Sequence, residues 1–593
     1  MRARATVAAA LALAAVLSPV PASARALTAR TAILTIENSE RPTPVALSRT
    51  PPARHRLSAD EVGAIADRLP KILALRAENR GSFGKIYLKG ASRWQVSYFS
   101  KTGKEIGLVI VSDRSGRVIE QWTGFQFAWT MARGYPGAFG GHVNALYVWL
   151  PLCLLFMLPF FDFRRPLRLL HLDLLVLLSF SVSLAFFNHA HIYASVPLAY
   201  PPLLYLLARM LALLRRGSTS FARADRLRLL VPTPWLALGV VLLLGFRIGL
   251  NVTDSNVIDV GYAGLIGAQR IADGKPLYGG YPSEYSHGDT YGPVNYEAYV
   301  PFEQAFASSG TWEDPAAARA AAIFFDLLST ALLFLLGRRM RGPTLGVALA
   351  YAWVSYPFTL FALESNSNDS LVAALVLAAL LAASYRATLA TGARGVLAAL
   401  AGLTKLAPLA IAPLLATHGM SDASPARRAR ALSLYLVGFL VAAAVVSIPA
   451  LSHDSLHEIY ERTLVYQSNR NSPFSVWGLY GLHGLERIVE IAVVALALAL
   501  SLVPLRPDLV GLAAACAAVI IAVQLGVEHW FYLYIPWFFP LVVLALFGRL
   551  SDPAQAPAPA PSARRRSARR RSPVPAAFAA VWSRSGATGA QRD

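Results

Sequence analysis

Apolar runs of about 20 residues recur along most of the chain, the length a helix needs to cross a hydrocarbon layer about 30 Å thick. In order they predict spans at 143–161, 171–188, 194–214, 233–251, 319–336, 343–362, 369–386, 432–449, 487–504, 508–525 and 530–548. One further apolar stretch, "GARGVLAALAGLTKLAPLAIAPLLATHG", breaks the alternation. Arginines flank it on both sides, Arg386 and Arg394 before, Arg427, Arg428 and Arg430 after, and Lys405, Pro408 and Pro413 interrupt its middle. Proline removes a helix donor, so this stretch predicts two half-helices that dip into the membrane and return. Such backbone is tolerated only against protein or a cavity.

Ahead of the spans the pattern changes period. "LSADEVGAIADRLPKIL" opens with Ser58 and carries Glu61 three residues on, a capping-box pattern for an amphipathic helix. "RWQVSYFS", "EIGLVIVS" and "RVIEQWTG" follow, separated by "KTGKE" and "DRSGR" turns, and predict a small antiparallel sheet. The fold expected is therefore an all-α polytopic membrane protein, with about 11 spans and a re-entrant pair, carrying a small α+β domain at its front.

Composition agrees. Of 593 residues, 55% are hydrophobic and 15% charged, with a mean hydropathy of +0.46, too little charge for a soluble chain of this length. The net charge of +21 sits in short loops and in the tail "SARRRSARRRS". That is the distribution of the cytoplasmic side of a membrane protein rather than of a nucleic-acid binder. Between 251 and 318, nine acidic residues stand against Arg270 and Lys275 alone, which marks an external loop. Cys153 and Cys516 both lie in apolar runs, so neither a disulfide framework nor a thiolate metal site is expected.

Residues 1–24 read as a signal sequence, with Arg2 and Arg4, an apolar stretch and Ala22-Ser23-Ala24. Residues 25–56 read as a linker, 57–125 as an extracytoplasmic domain, 143–232 as additional spans, 233–550 as the main membrane core and 551–593 as a disordered basic cytoplasmic tail. The Arg/Ala-rich composition suggests a bacterial plasma membrane protein.

The chemistry concentrates in the external loops. "NVTDSNVIDVGYAGLIGAQRIADGKPLYGG" places Asp254 and Asp259 just past a span. A carboxylate there is placed to take a proton from an acceptor hydroxyl. Asp254 sits in "TDSN", which is also good turn or cap context. A polar knot, Glu364, Asn366, Asn368 and Asp369, stands at the outer end of another span; Asp369 also suits a helix N-terminus. Tyr278 and Tyr291 offer aromatic faces for a sugar ring, though tyrosines are common at any membrane interface. Lys405, Arg470 beside Gln467, and His529 are the candidates to meet a phosphate, against snorkelling or interfacial roles. His287 and Asp289 lack a ligand pattern, so no metal site is expected, and no P-loop or Rossmann glycine pattern occurs.

The ordered set of segments resembles the GT-C glycosyltransferases, specifically the family 87 branch that uses polyprenyl-phosphate-mannose. The segments are Asp259 with Tyr262 three residues on, "DGKPLYG", "TYGPVNY", "NSNDSLVAALVLAALL", "GLTKLAPLAIAPLL", "YQSNRNSPFSVWGLYG" and "VEHWFYLYIPWFFP". The resemblance implies inverting transfer of a sugar, mannose by family habit, from a polyprenyl phosphate to an acceptor hydroxyl on the outer face. Asp259 is then the base. Asp254, Tyr262, Tyr278, Tyr291, Asn368, Asp369, Lys405, Gln467, Arg470 and His529 are the substrate-binding candidates. The lipid-linked donor is a substrate, so no cofactor is called for, and dependence on a divalent metal is left open. A glycan, a glycolipid or a protein fits as acceptor, and membrane lipids surround the site. The front domain, ending "VSDRSGRVIEQWTG", resembles the PepSY type, a module of regulation or partner contact. The competing reading is a transporter or flippase of lipid-linked sugars, since transporters use broken helices. Against it, no internal repeat is visible and few ionisable residues lie within the spans.

Overall fold

The computed structural model describes residues 43–550, apart from 90–91, 102–104, 124–139, 190, 216–226, 282–287, 308–314, 386, 422, 469–471 and 504–505. The expected signal sequence and basic tail lie outside the described residues, as does the first part of the linker.

The front domain is a five-stranded antiparallel meander, β1 (Thr43–Val45), β2 (Phe83–Lys89), β3 (Arg93–Phe99), β4 (Glu105–Ser112) and β5 (Val118–Thr123), in that spatial order. Two helices pack against it, α1 (Ala59–Asp67) and α2 (Pro70–Glu78). The capping box forms as expected. The Glu61 N–H donates to Ser58 Oγ at 3.3 Å, and the Ser58 N–H donates to the Glu61 carboxylate at 2.8 Å. The single helix expected from "LSADEVGAIADRLPKIL" is two, because Pro70 drives Leu69 into extended backbone and begins a new helix at its first position. Val62, Ala66, Ile72 and Leu75 bury against Ile86, Trp94, Val96, Val109 and Val111. Strands β1 and β2 were not expected: β1 lies in the stretch read as linker, pairing Thr43–Val45 with Ile86–Leu88.

In the membrane region α3 (Leu146–Met157), α4 (Leu169–Asn188), α5 (Tyr200–Arg215), α6 (Thr233–Asp254) and the shorter α7 (Asp259–Ala272) come first. Next are α8 (Ala316–Arg341), α9 (Pro343–Ser355), α10 (Pro357–Glu364), α11 (Asp369–Ala383), α12 (Thr388–Thr404) and α13 (Ala412–Thr417). Last come α14 (Pro425–Leu451), α15 (His483–Leu502), α16 (Leu509–Gly526) and α17 (Ile535–Gly548). Six of the described helices are long and apolar enough to cross a bilayer, counting α5 with the short helix Ile192–Leu198 that leads into it. The α9–α10 pair is bent by 57° where Pro357 starts the second segment, and counted as one broken span it makes a seventh. Helix α16 is enclosed, whereas α6 and α14 turn most of their surface outward, as peripheral spans facing lipid do. Two buried arginines of the bundle are paired, Arg247 with Asp326 and Arg209 with Asp173 at 2.8 Å, as burial in a low dielectric favours.

The broken stretch is a hairpin. Helix α12 ends at Thr404, Lys405 is extended (φ −142°, ψ 147°), a tight turn spans Ala407–Ile411, and α13 follows. Arg394 Nη1 donates to the His418 carbonyl at 3.0 Å, so the two ends of the dip lie side by side. Close approach to α14 rests on small residues. A Cβ on Gly395 would collide with the Tyr435 carbonyl, and one on Gly438 with that of Gly392.

Candidate active site

Lys405 stands at the tip of this hairpin, carried there by the whole length of α12. It is 8% exposed and donates to Asp369 Oδ1 at 2.5 Å. Asp369 is the first residue of α11, where a carboxylate is favoured by the helix dipole. The same oxygen accepts from the Trp537 indole at 2.9 Å. Three rings surround the ammonium, with centroids at 5.0 Å for Trp537, 5.5 Å for Tyr534 and 5.6 Å for Tyr291. Aromatic faces attract a cation, so the three rings and Asp369 together hold the ammonium in place. An ammonium has three donors, and Asp369 takes one.

Lys405 faces a cavity of about 820 Å3. Thr290, Tyr291 and Gly292 form one part of its wall, Gln467 and Ser468 another, and His483, Glu486, Arg487 and Glu490 of α15 a third. Gln524, Glu528 and His529 close it between α16 and α17. Gln467 Nε2 points at the Thr290 carbonyl at 3.5 Å, and His529 Nδ1 lies 2.8 Å from Ser472 Oγ. Helix α15 is two-faced: Leu485, Ile488, Ile491 and Val494 are exposed on its outer side, while its charged residues look inward. It forms a thin wall between the cavity and the surroundings of the bundle.

Of the residues singled out by sequence, Tyr291, Lys405, Gln467 and His529 line this cavity, with Asp369 directly behind Lys405. Asn368 is buried, its amide against the Asn295 side chain. Arg470 lies outside the described residues. Asp259 begins α7, is exposed, and accepts from the Val260 N–H at 2.9 Å; it does not line the cavity. Asp254 ends α6 and binds both the side chain and the backbone N–H of His142, tying the end of α6 to the turn before α3. Tyr262 and Tyr278 are packing residues here, 6% and 1% exposed. The Tyr278 hydroxyl donates to the Tyr291 carbonyl at 2.9 Å. Neither therefore presents a ring face to the cavity.

The polar knot links the two places. The Ile258 N–H donates to the Ser365 carbonyl at 3.3 Å, so the segment leading into Asp259 rests on the loop that ends in Asp369. Asn366, held at φ 48°, donates to Ser255 Oγ and the Asn256 carbonyl, each at 3.0 Å. Within the knot both Glu364 oxygens, Asn368 Oδ1, Asp369 Oδ2, Asn295 Nδ2 and Tyr299 Oη are buried without a hydrogen-bond partner. Such groups are costly, and their gathering around one loop marks it as more than packing. Sequence reasoning missed Trp537, Tyr534, Asn295 and the α15 carboxylates, which look like ordinary interfacial residues until folding brings them together.

Residues 290–531 match the sequence model of Glycosyltransferase family 87. With this match and its apolar helical spans, the protein is a membrane glycosyltransferase, in keeping with the GT-C superfamily. The matched stretch contains Asp369, Lys405, Gln467 and His529, and begins after Asp259 and Tyr262. No curated protein matches the chain.

Proposed function

We propose that the protein transfers a sugar, mannose by family habit, from a polyprenyl phosphate to an acceptor hydroxyl at the outer face of the membrane, with inversion. The observation that carries this reading is Lys405: a caged cation at the tip of the hairpin, facing a cavity of which α15 forms one thin wall. A lipid phosphate leaving the anomeric carbon needs positive charge fixed in advance where its own negative charge grows. The arginines of the short loops support an outward orientation of the cavity. The apolar outer face of α15 suits a prenyl chain lying alongside while its headgroup reaches inward.

In the reaction the acceptor oxygen attacks the anomeric carbon, the bond from that carbon to the phosphate oxygen breaks, and a base takes the hydroxyl proton. Asp259 is our candidate for the base, approached from the acceptor side across the polar knot. The N-terminal domain, read as PepSY-like, would hold the acceptor or a partner close to it. In membranes bearing the protein and given radiolabelled polyprenyl-phosphate-mannose, wild type should release polyprenyl phosphate and label an acceptor. Asp259→Asn should lower that rate by about 10²–10⁴-fold. Survival of transfer in this variant would hand the base role to a cavity carboxylate. No transfer by wild type, together with movement of intact donor across the bilayer, would favour the flippase reading.

A further inference from the structure

His483 and Glu486 occupy the first turn of α15, three residues apart and so on one face. Glu528 reaches the same point from the segment between α16 and α17. The Ser472 N–H donates to its Oε1 at 3.2 Å, which fixes the carboxylate and leaves Oε2 turned toward His483. His483 Nδ1 is 3.5 Å from Glu486 Oε2 and 3.9 Å from Glu528 Oε2, and one ligand atom from each of the three lies within 4.8 Å of the others. Ordinary hydrogen bonds would be shorter than these contacts. Ligand atoms held about 2.0–2.2 Å from one ion sit roughly 3–4 Å apart, so small side-chain rotations would close the triad around a metal. The α15 dipole, which favours an acidic residue in the first turn, accounts for Glu486 alone. It leaves unexplained why a carboxylate from a separate element converges on the same imidazole.

We infer that His483, Glu486 and Glu528 form a divalent-cation site on the wall of the cavity, with the open coordination positions turned into it. One nitrogen and two carboxylate oxygens suit Mn2+ or Zn2+ better than Ca2+, which takes more ligands, all oxygen. All three residues line the cavity that Lys405 faces. A cation here would take phosphate oxygens of the donor into its open positions and share the leaving charge with the lysine. That role rests on the function proposed above; the site itself does not.

The test uses the full-length protein in nanodiscs, titrated with Mn2+ while the free-ion electron paramagnetic resonance signal is followed. Wild type should remove about one ion per chain, and Glu528→Gln and His483→Ala should each weaken binding by at least about tenfold. His483 is largely exposed, with 56% of its side chain accessible, so its replacement leaves the fold in place, as an unchanged melting temperature without metal should verify. Absence of saturable binding by wild type, or equal binding by wild type and His483→Ala, overturns the site. Should Mn2+ bind while transfer is indifferent to chelator, the site stands and its contact with the donor phosphate falls. Should Mn2+ bind while no transfer is detected at all, the failure belongs to the proposed reaction.

Discussion

Asp113 of the front domain and the loop from Glu364 to Asp369 in the membrane core treat buried carboxylates in opposite ways. In the front domain Asp113, 6% exposed, has both carboxylate oxygens engaged. The Trp94 indole donates to it at 2.8 Å, and the backbone N–H groups of Arg56 and Leu57 at 2.9 and 3.1 Å. That is a polar group spent on architecture, stapling the segment before α1 to the end of β4. In the core, the loop from Glu364 to Asp369 keeps several buried polar atoms without partners and sets its one ion pair against a cavity. A satisfied network specifies a fold, whereas an unsatisfied one beside a cavity marks where a ligand is to be met.

The largest effect should come from breaking the core's ion pair. Lys405→Met leaves Asp369 as an unpaired buried carboxylate and should cost about 3–5 kcal/mol of stability, and it should lower transfer by about 10²–10³-fold. Stability and chemistry are separable here. The double variant Lys405→Met/Asp369→Leu removes both charges and should recover the melting temperature while transfer stays low. If transfer recovers with stability, Lys405 is an architectural residue like Asp113, and the contrast between the two regions is lost.

The same contrast explains what could be read from the sequence. Of the eleven expected spans, the six that form long apolar helices among the described residues were legible because hydrophobic length is a local property, and the capping box because Ser58 and Glu61 are three residues apart. The dip was legible from Lys405, Pro408 and Pro413 between two arginine-rich flanks. The bend at Pro357 was overlooked, although the proline stands in plain view within "SYPFTLF", because an apolar run hides the change of direction. Strand β2, "FGKIYLK", has too little alternation to declare itself, and β1 is fixed by pairing with β2 rather than by its own residues. The cavity was illegible as a whole. Glu486 and Glu528 share a cavity with Lys405, and Trp537 packs against it, only through the packing of α15, α16 and α17 around the hairpin tip, and no spacing along the chain encodes that.

Smaller effects follow from changing one carboxyl to an amide in each region. Burial works to raise the Asp113 carboxyl. The hydrogen bonds from Trp94, Arg56 and Leu57, with a contribution from His55, outweigh it and hold the group below its ordinary value. A depressed folded value contributes stability that is present at neutral pH and is lost as pH falls through that folded value. Asp113→Asn should therefore destabilise the front domain by about 2–4 kcal/mol at pH 7, and by progressively less in acid. Amide exchange across residues 93–112 of the full-length protein is the measurement. Equal protection in wild type and variant would remove Asp113 as the staple.

Glu297 should respond with the opposite sign. It ends the short helix Pro293–Glu297 on the loop that forms the Tyr291 wall, and burial, with no compensating donor, pushes its carboxyl up to about 8. Below its unfolded value near 4.5 the group is protonated in both states and contributes nothing to the pH dependence. As pH rises from there toward 8 the unfolded chain releases a proton that the folded protein retains, so folding is progressively disfavoured. Glu297→Gln removes this term without changing the size of the side chain. The variant should melt with wild type near pH 4.5 and about 1–3 °C above it at pH 8. Where Asp113→Asn destroys a network that was complete, Glu297→Gln relieves a group that never had one. A Glu297→Gln variant that melts below wild type at pH 8 would mean that the carboxylate is engaged by a partner at the cavity wall, and that this part of the core is satisfied in the same way as the front domain.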